Sequence, residues 1–353
     1  MKKIEFKPML ISIILVLLIY YFYTPALNIH AIEFWIFLIV AICIYGAASS
    51  YSTLLGKKFK PEKVGYLGAA VAVIVAGILV TDLFTSKIFH ASRYASRIEV
   101  ENVKFNNKTL HEVDFSKTPI IDRKSTVKLG DKVMGEIPEY VSQFEVSDDY
   151  TQISYKNSVY RVTPLEYASF FKYLTNSKNG IPAYITVNST NGKTDIVKLK
   201  DLGLDGMKYV PSAILNHNLN RKLQLSYPTS IFGSPSFEVD EKGHPWYVCT
   251  TYTYFGVGNK KKVTGAVLFD PITGKSKKYD KGKVPKWVDR VYPEELIMTE
   301  IDENGSLQDG FFNSVLGQKN VTVTSEGYNY LEKDGDIWIY SGITSANKDS
   351  SNL

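Results

Sequence analysis

Apolar positions are concentrated at the beginning of the chain, in three long runs that carry almost no charge. They are Met9–Tyr23, Phe34–Tyr51 and Gly65–Phe84. A helix needs about 20 apolar residues to cross a hydrocarbon layer of about 30 Å, and each run with its flanks approaches that length. Tyr and Trp near the ends of the runs are typical of the membrane–water interface. The pattern therefore predicts three transmembrane helices within residues 1–86.

The first run also has an alternative interpretation, as the apolar core of a cleaved signal peptide. It follows Lys2 and Lys3, as such cores do. However, a second apolar run follows almost at once, and only the loose motif NIHA precedes Ile32. We therefore favour a retained membrane helix.

The lysines around these runs predict the orientation of the chain in the membrane. The segment between the first two runs has no Lys or Arg, whereas the N-terminus and the next loop are basic through Lys2, Lys3, Lys7, Lys57, Lys58, Lys60 and Lys63. Basic loops stay in the cytoplasm. We therefore expect a multi-pass cell-membrane protein with a cytoplasmic N-terminus and an extracellular C-terminal domain.

The third run contains Gly68, Ala72 and Ala76 at a spacing of four residues. Small residues at this spacing let helices approach closely, so we expect a helix-packing face. It serves either the packing of the three helices of one chain or a contact with a second protein. Asp82, near the end of the run, is either an ion or proton relay or an acid at the membrane surface.

Beyond the third run the pattern changes to short alternating stretches separated by turn residues. Turns are predicted at Lys156–Asn157, Asn191–Gly192, Glu241–Gly243, Asp270–Gly274, Asn304–Gly305 and Asp334–Gly335. Such turns between β-branched and aromatic residues indicate antiparallel sheets. We predict a connector at 87–100 and a β-rich α+β extracytoplasmic domain at 101–353, divided into subunits near 101–200 and 201–353.

One soluble helix is predicted in this domain, in the stretch TPLEYASFFKYL. Thr163, Pro164 and Glu166 have the types and spacing of an N-cap, a first-turn proline and a capping-box acid. The apolar face of the predicted helix consists of Tyr167, Phe170, Phe171 and Leu174. Gly180 is expected to end it.

The stretch AVLFDPITGKSKKYD, from Ala266 to Asp280, consists of an apolar strand, a D-P-x-T-G-K turn and a polar strand. Together with the preceding GHPWYVCTTYTYF it resembles the hairpins of PepSY domains, over residues 244–280. The stretch PAYITVNSTNGKTDIVKL repeats this outline. The resemblance implies small extracytoplasmic α+β units that bind or inhibit peptidases, or that act in regulation at the envelope. The whole chain also resembles multi-pass envelope proteins of Gram-positive bacteria, a resemblance that implies no activity.

The search for catalytic chemistry yields one weak candidate, Cys249. The other cysteine, Cys43, lies in an apolar run, and the five histidines form no H-x-x-x-H pair. His244 is five residues from Cys249, which places the two on opposite faces of a strand. The sequence YVCTTY also lacks the T-L-x-T-C pattern of sortases. A buried structural thiol is therefore favoured over a nucleophile.

Acidic residues give no better candidate, and no metal site or cofactor is predicted. The stretch DENGSLQDG from Asp302 departs from the calcium-loop pattern, and a hairpin turn explains it better. Asp148 and Asp149 are adjacent, which suits solvated turn residues better than a glycosidase pair. A net charge of +5 without a basic stripe argues against nucleic acid as a partner.

Three hypotheses for function follow. The first is a non-catalytic envelope protein, embedded in lipid, that binds a cell-wall polymer, a peptide or an envelope protein. The second is an envelope hydrolase or transpeptidase that uses Cys249 or carboxylates. The third is a subunit of a membrane complex that makes its contact through Gly68, Ala72 and Ala76.

Overall fold

The structure is a computed structural model, and it describes residues 6–54, 61–104, 118–156, 158–325, 327–333 and 336–346. The chain divides into two compact units. Unit 1 comprises Met1–Phe89, Asn220–Phe232 and Tyr252–Lys262, and unit 2 comprises His90–Leu219, Gly233–Thr251 and Val263–Leu353. Unit 1 thus combines the N-terminal helices with two segments from the region that the sequence analysis assigned to the outer domain.

Helices account for most of unit 1. The chain begins with α1 (Phe6–Tyr23), α2 (Ile32–Leu54), α3 (Pro61–Thr85) and α4 (Lys87–Ala95), the last of which is kinked at His90. Helices α2 and α3 contain the stretches Ile32–Ser50 and Val64–Thr85, of 19 and 22 residues, which are long and apolar enough to cross a membrane. The apolar stretch of α1, Met9–Tyr23, is shorter, so the third span stays a prediction.

Helix α2 packs between α1 and α3. The rings of Tyr20 and Phe37 lie 5.8 Å apart between α1 and α2. Between α2 and α3, a Cβ atom added at Gly46 would lie 3.3 Å from the Leu67 side chain, so this glycine allows close approach. Because a residue late in α2 contacts one early in α3, these two helices run antiparallel.

The first sheet of unit 2 is antiparallel throughout. Its strands follow one another in the order β1-β3-β4-β5, and β2 also pairs with β3. Two helices precede the sheet and one interrupts it. The elements are α5 (Arg123–Gly135), α6 (Pro138–Val141), β1 (Phe144–Val146), β2 (Thr151–Tyr155), β3 (Ser158–Tyr167), α7 (Phe170–Asn176), β4 (Ala183–Asn188) and β5 (Thr194–Lys198).

The second sheet repeats this arrangement. Its elements are α8 (Leu219–Ser226), β6 (Ile231–Phe232), β7 (Ser236–Val239), β8 (Pro245–Thr253), β9 (Lys262–Phe269) and β10 (Ser276–Asp280). The strand order is β6-β8-β9-β10, and β7 also pairs with β8. Each strand therefore has a topological equivalent in the first sheet, which indicates an internal duplication.

The last turn of each sheet supports the duplication in detail. The side-chain Oδ1 atom of Asn188 accepts from the N–H groups two and three residues later, at 2.9 and 3.2 Å. That of Asp270 does the same at 2.8 and 3.2 Å. Both turns then close on a glycine in the left-handed region, Gly192 at φ +74° and Gly274 at φ +72°. Glycine adopts this conformation without steric cost, because it has no Cβ.

The two sheets pack against each other through aromatic side chains. The Tyr184 ring on β4 lies 5.7 Å from the Phe237 ring on β7, which lies 5.5 Å from the Tyr247 ring on β8. The Tyr184 hydroxyl donates to the carbonyl oxygen of Gly243 at 2.9 Å. Since all three aromatic side chains are buried, they form the contact between the two halves of the duplication.

The predicted helix over TPLEYASFFKYL is placed incorrectly. Thr163, Pro164 and Glu166 belong to β3, and α7 begins only at Phe170, with the Ser169 side chain accepting from the Lys172 N–H. Strand β3 pairs with β1, β2 and β4, and this pairing outweighs the local capping signal. The predicted apolar face is split as a result. Tyr167 is buried in the strand, whereas Phe170, Phe171 and Leu174 are exposed.

The predicted hairpin at Asn304–Gly305 is also wrong, because both residues lie inside α9 (Glu294–Leu307). Gly305 is needed for close approach, since an added Cβ would collide with the backbone of Thr322. The remaining elements are a π-helical turn (Asn313–Gly317), β11 (Thr322–Thr324), β12 (Asn329–Lys333), β13 (Asp336–Tyr340) and β14 (Ile343–Ser345). Strand β11 pairs with β14, and β12 with β13.

A buried ion-pair network holds α9 in unit 2. The Arg97 guanidinium donates to Glu300 at 2.8 Å and to Glu303 at 2.7 Å, and all three side chains are almost inaccessible to water. Breaking such a group by removing one partner leaves an uncompensated charge, which is strongly destabilising.

Two further predicted turns lie partly or wholly outside the described residues. For the turn at Lys156–Asn157 the structure describes the flanking strands β2 and β3 but not Asn157. For the turn at Asp334–Gly335 it describes β12 and β13 but neither turn residue.

The Asp270 turn gives a test of how the second sheet is stabilised. Burial alone would raise the pKa of Asp270, but hydrogen bonds from its surroundings, including Thr273, lower it to about 2. We expect Asp270→Ala to destabilise the protein by about 1–2 kcal/mol, since three donors lose their acceptor. Thermal unfolding in detergent, followed by tryptophan fluorescence, measures the loss.

Asp280→Ala is the matched control for this variant, because Asp280 is an exposed acid in the same hairpin. Since the pKa of Asp270 is lowered by folding, its contribution is present above about pH 4 and disappears as the pH falls towards 2. Equal effects of the two variants at neutral pH would contradict this account.

Candidate functional site

The C-terminal ends of α1 and α3 and the segment between α1 and α2 contact residues 220–232 and 252–262, which we call the helix-end segments. All of these residues belong to unit 1. They are a candidate functional site because they join helices of membrane type to segments that follow the first β sheet in sequence.

Arg221 makes the contact with α1. Its Nε–H donates to the carbonyl oxygen of Tyr21 at 2.7 Å. Its guanidinium carbon lies 4.7 Å from the centroid of the Tyr21 ring and 5.5 Å from that of Phe22. The last carbonyl groups of a helix lack partners within the helix and carry partial negative charge, so a cation is favourable there.

Backbone contacts hold the segment that follows α1. The Leu27 N–H donates to the carbonyl oxygen of Pro228 at 2.7 Å. The Asn28 side chain donates to the carbonyl oxygen of Thr229 at 2.9 Å. A polar connection of this kind satisfies backbone groups that would otherwise need water.

His30 contacts the second helix-end segment. Its Nδ1 atom lies 2.7 Å from the carbonyl oxygen of Gly256, which accepts only, so Nδ1 carries the proton. The Gly258 N–H donates in turn to the His30 carbonyl oxygen at 3.0 Å. Gly256 is required here, because it has φ +81° and an added Cβ would collide with the Thr85 side chain.

Asn259 contacts the end of α3. Its Nδ2 atom donates to the carbonyl oxygen of Asp82 at 3.1 Å and to the Thr85 hydroxyl at 2.9 Å. Asp82 therefore lies at the junction of α3 with a polar segment. Of the two roles considered for it, this position favours an acid at the end of the helix over a relay residue.

Cys249, the one catalytic candidate from the sequence, lies in the interior of β8. Its side chain is completely buried, and this burial raises the pKa of the thiol well above its usual range. Its Sγ–H group donates to the Tyr247 carbonyl oxygen, at 3.9 Å. His244, by contrast, has its Nε2 atom 3.5 Å from Asp270. A buried, protonated thiol does not have the properties of a nucleophile.

The small-residue face of α3 is not used in packing within the described chain. Gly68, Ala72 and Ala76 are exposed, and nothing lies within 4 Å of a Cβ added at Gly68. Helix α3 instead turns Leu67 towards α2. Two roles were considered for these residues. The described helices do not show the first, which is packing among the helices of one chain. A contact with a second protein stays a prediction.

Glu238 is a buried carboxyl group that the sequence analysis did not identify. Burial is the main influence on its pKa and, against several hydrogen bonds, raises it to about 7. The carboxylate accepts from the backbone N–H groups of Asp289 and Arg290 at 3.0 and 3.1 Å. The Ser236 hydroxyl donates to it at 3.3 Å. The group is enclosed, so it ties the segment at 289–290 to β7 rather than meeting a ligand.

Metal binding and similarity to known proteins give no further assignment. Within the described ranges, no group of three or more His, Cys, Asp or Glu residues is arranged to hold a metal ion. Comparison with family models, with curated proteins and with solved structures gave no match. The PepSY resemblance thus depends on the sequence of the hairpins alone.

Glu238 predicts a pH dependence of stability. Because folding raises its pKa from 4.5 to about 7, the folded state binds a proton that the unfolded state has lost. Its contribution to stability therefore decreases as the pH rises from about 4 to 7. We expect Glu238→Gln to flatten this part of the profile of melting temperature against pH. Glu241→Gln, at an exposed position, should leave the profile unchanged. An unchanged profile in Glu238→Gln would show that the group does not titrate there.

Proposed function

We propose that this chain is a multi-pass membrane protein of the cell envelope. It has three transmembrane helices, a cytoplasmic N-terminus and an extracytoplasmic domain that binds or regulates a partner without catalysis. The main support is unit 1, in which two helices with unburied apolar stretches share a compact unit with the polar helix-end segments. Membrane lipid covers the helices. The partner of the domain is a cell-wall polymer, a peptide or an envelope protein.

Two observations support the non-catalytic role over an envelope hydrolase or transpeptidase. Cys249 is buried, with its thiol held protonated. Glu238, whose pKa burial raises to about 7, is enclosed by backbone donors. The duplicated Asx–Gly turns also suit two PepSY-like units, which the family resemblance associates with binding and regulation.

Cysteine labelling in intact cells tests the topology. The background is Cys43→Ala, and single cysteines are introduced as Glu241→Cys in the β7–β8 turn or as Lys58→Cys, which lies in sequence between α2 and α3. A membrane-impermeant maleimide should label position 241 in intact cells and position 58 only after permeabilisation. Cys249 should react only after denaturation, because it is buried.

The opposite labelling pattern at positions 58 and 241 would invert the orientation. Protection of both positions in intact cells would remove the extracytoplasmic domain from the proposal. Rapid labelling of Cys249 in the native protein would instead support the hydrolase or transpeptidase alternative.

A second candidate function is that of a subunit in a membrane complex. It is favoured by the exposure of Gly68, Ala72 and Ala76, which the packing of α3 on α2 leaves open. In the Cys43→Ala background, Ala72→Cys should form oxidative crosslinks in membranes. Ile74→Cys, which is partly buried, is the control and should not. Absence of any crosslink at position 72, or equal crosslinking at both positions, would exclude this face as the contact.

A further inference from the structure

A group of exposed apolar side chains follows α9, at the π-helical turn. Phe312, Val315 and Leu316 are 66%, 55% and 79% exposed, and Leu316 is the most exposed large apolar side chain among the described residues. Their spacing of three and four residues groups them on one side of a helical turn. We call these three residues the apolar tip. Single exposed apolar side chains are common, but a group of this kind marks an interaction surface.

Hydrogen bonds of Asn313 hold the backbone of the tip. Its Nδ2 atom donates to the Lys319 carbonyl oxygen at 2.9 Å, and its Oδ1 atom accepts from the Lys319 N–H at 3.2 Å. The Gln318 N–H donates to the Asn313 carbonyl oxygen at 2.6 Å. These bonds close the turn behind Val315 and Leu316. Because the backbone is already ordered, the tip loses little conformational entropy when it docks on a surface.

Phe311, the residue before the tip, anchors it to the C-terminal half of α4. Tyr94 and Ala95 of α4 form a buried cluster with Leu307, the last residue of α9, and Phe311 packs against this cluster. The Asn304 side chain donates to the Ala95 carbonyl oxygen at 2.8 Å. The buried ion-pair network of α9 adds to this contact. The tip is therefore fixed to the end of α4.

Chain length keeps this anchor close to the end of α3. The apolar stretch of α3 ends at Thr85, and α4 begins at Lys87. Ala91, which packs against the same buried cluster, is six residues beyond Thr85. Six residues span at most about 22 Å even when they are fully extended. If α3 crosses a bilayer, the surface of that bilayer is therefore within reach of the tip.

Basic side chains on α4 match an anionic membrane surface. Helix α4 contains Lys87 and Arg93, both exposed, and no Asp or Glu. The segment around the tip is neutral, with one acid, Asp309, and one base, Lys319. Cations beside an apolar surface are typical of segments at the bilayer interface, where they attract anionic lipid head groups.

We propose that the apolar tip enters the interfacial layer of the bilayer that α3 crosses. Its ligand is a lipid surface with anionic head groups. Phe312, Val315 and Leu316 exchange water for lipid, and the cations of α4 lie among the head groups. This inference rests on the proposed function, because it requires a bilayer around α3. It deepens that function by giving the C-terminal part of the chain a membrane contact of its own.

Helix α7 provides a matched comparison for the tip. Phe170, Phe171 and Leu174 are also exposed, at 55%, 74% and 54%, and also lie on a short helical segment. However, α7 has no such short link along the chain to a candidate membrane span. If the link to α3 determines the lipid contact, the tip enters the bilayer and the face of α7 does not.

Fluorescence of a labelled cysteine in the reconstituted full chain provides the test. Leu316→Cys in the Cys43→Ala background carries an NBD label, in vesicles of phosphatidylglycerol and phosphatidylcholine in equal parts. The label should emit at a shorter wavelength than in water. It should lose about half of its emission to a nitroxide near the lipid head groups, because interfacial side chains lie at the boundary of head groups and acyl chains. Phe171→Cys, labelled in the same way, should show neither change.

Three results would overturn the proposal. Emission typical of water at position 316 would show that the tip remains in solvent. Emission at a shorter wavelength without quenching by the nitroxide would assign the tip to a contact with a second copy of the chain. Equal quenching at positions 316 and 171 would show that exposure alone, rather than the link to α3, determines the contact with lipid.

Flotation of the same vesicles after carbonate extraction separates this proposal from the proposed function. Protein that floats but shows no quenching at position 316 retains its membrane helices and lacks the tip contact. Protein that does not float lacks both.

The double variant Val315→Ser/Leu316→Ser tests the contact without a label. Both side chains are exposed, so the melting temperature of the full chain in detergent should not change. In vesicles, the backbone amides of residues 311–319 should exchange with deuterium about threefold faster than in the unmodified chain, because lipid no longer restrains local opening. Phe170→Ser/Phe171→Ser is the control and should leave this exchange unchanged. Unchanged exchange in the tip variant, or a lower melting temperature, would contradict the proposal.

Discussion

The apolar surface of α2 and α3 is the constraint on which the rest of the architecture depends. No side chain in their two apolar stretches is buried by the remainder of the chain. Exposure of apolar surface to water costs about 25 cal/mol per Å², so an apolar surrounding would stabilise these stretches of 19 and 22 residues. A lipid bilayer is the surrounding that we propose for them. The polar groups at the helix ends then need partners of their own.

The helix-end segments supply those partners. Comparison of the two sheets shows which part of the second sheet provides one of these segments. The two sheets share one strand order, and their last turns have the same hydrogen bonds. They differ in the connection between the third and fourth strands. In the first sheet this connection carries α7, whereas in the second it is the loop that ends at Lys262 and contacts His30 and α3. The second sheet thus contacts the N-terminal helices through this connection.

The features that sequence predicts well here are those with a local cause. The turns at Asn188 and Asp270 can be predicted from sequence, because each is defined by an Asx side chain and a glycine four residues later. No distant residue is needed to form them. The long apolar runs are visible for the same reason. The predicted helix at Thr163 is wrong because pairing of β3 with three strands is a long-range effect. The predicted turn at Gly305 is wrong because that glycine serves an approach to Thr322.

The candidate sites were mostly beyond the reach of the sequence. The contact of Arg221 with Tyr21 joins residues 200 positions apart, and no local pattern indicates it. Glu238 and Tyr247 look like ordinary strand residues until their burial is known. Glu145 and Glu166 lie opposite each other because of the register between β1 and β3. The sequence analysis could not find this pair, because it placed Glu166 in a helix rather than in a strand. Cys249 was visible in the sequence as a possible nucleophile, and its complete burial favours the structural alternative.

The most direct measurement of the central claim is flotation of the expressed full-length protein in a density gradient after carbonate extraction of the membranes. Carbonate removes proteins that are held only at the surface of a bilayer. If α2 and α3 are embedded in lipid, the protein will float with the vesicles after extraction. Recovery of the folded protein in the soluble fraction at the bottom of the gradient would contradict the account.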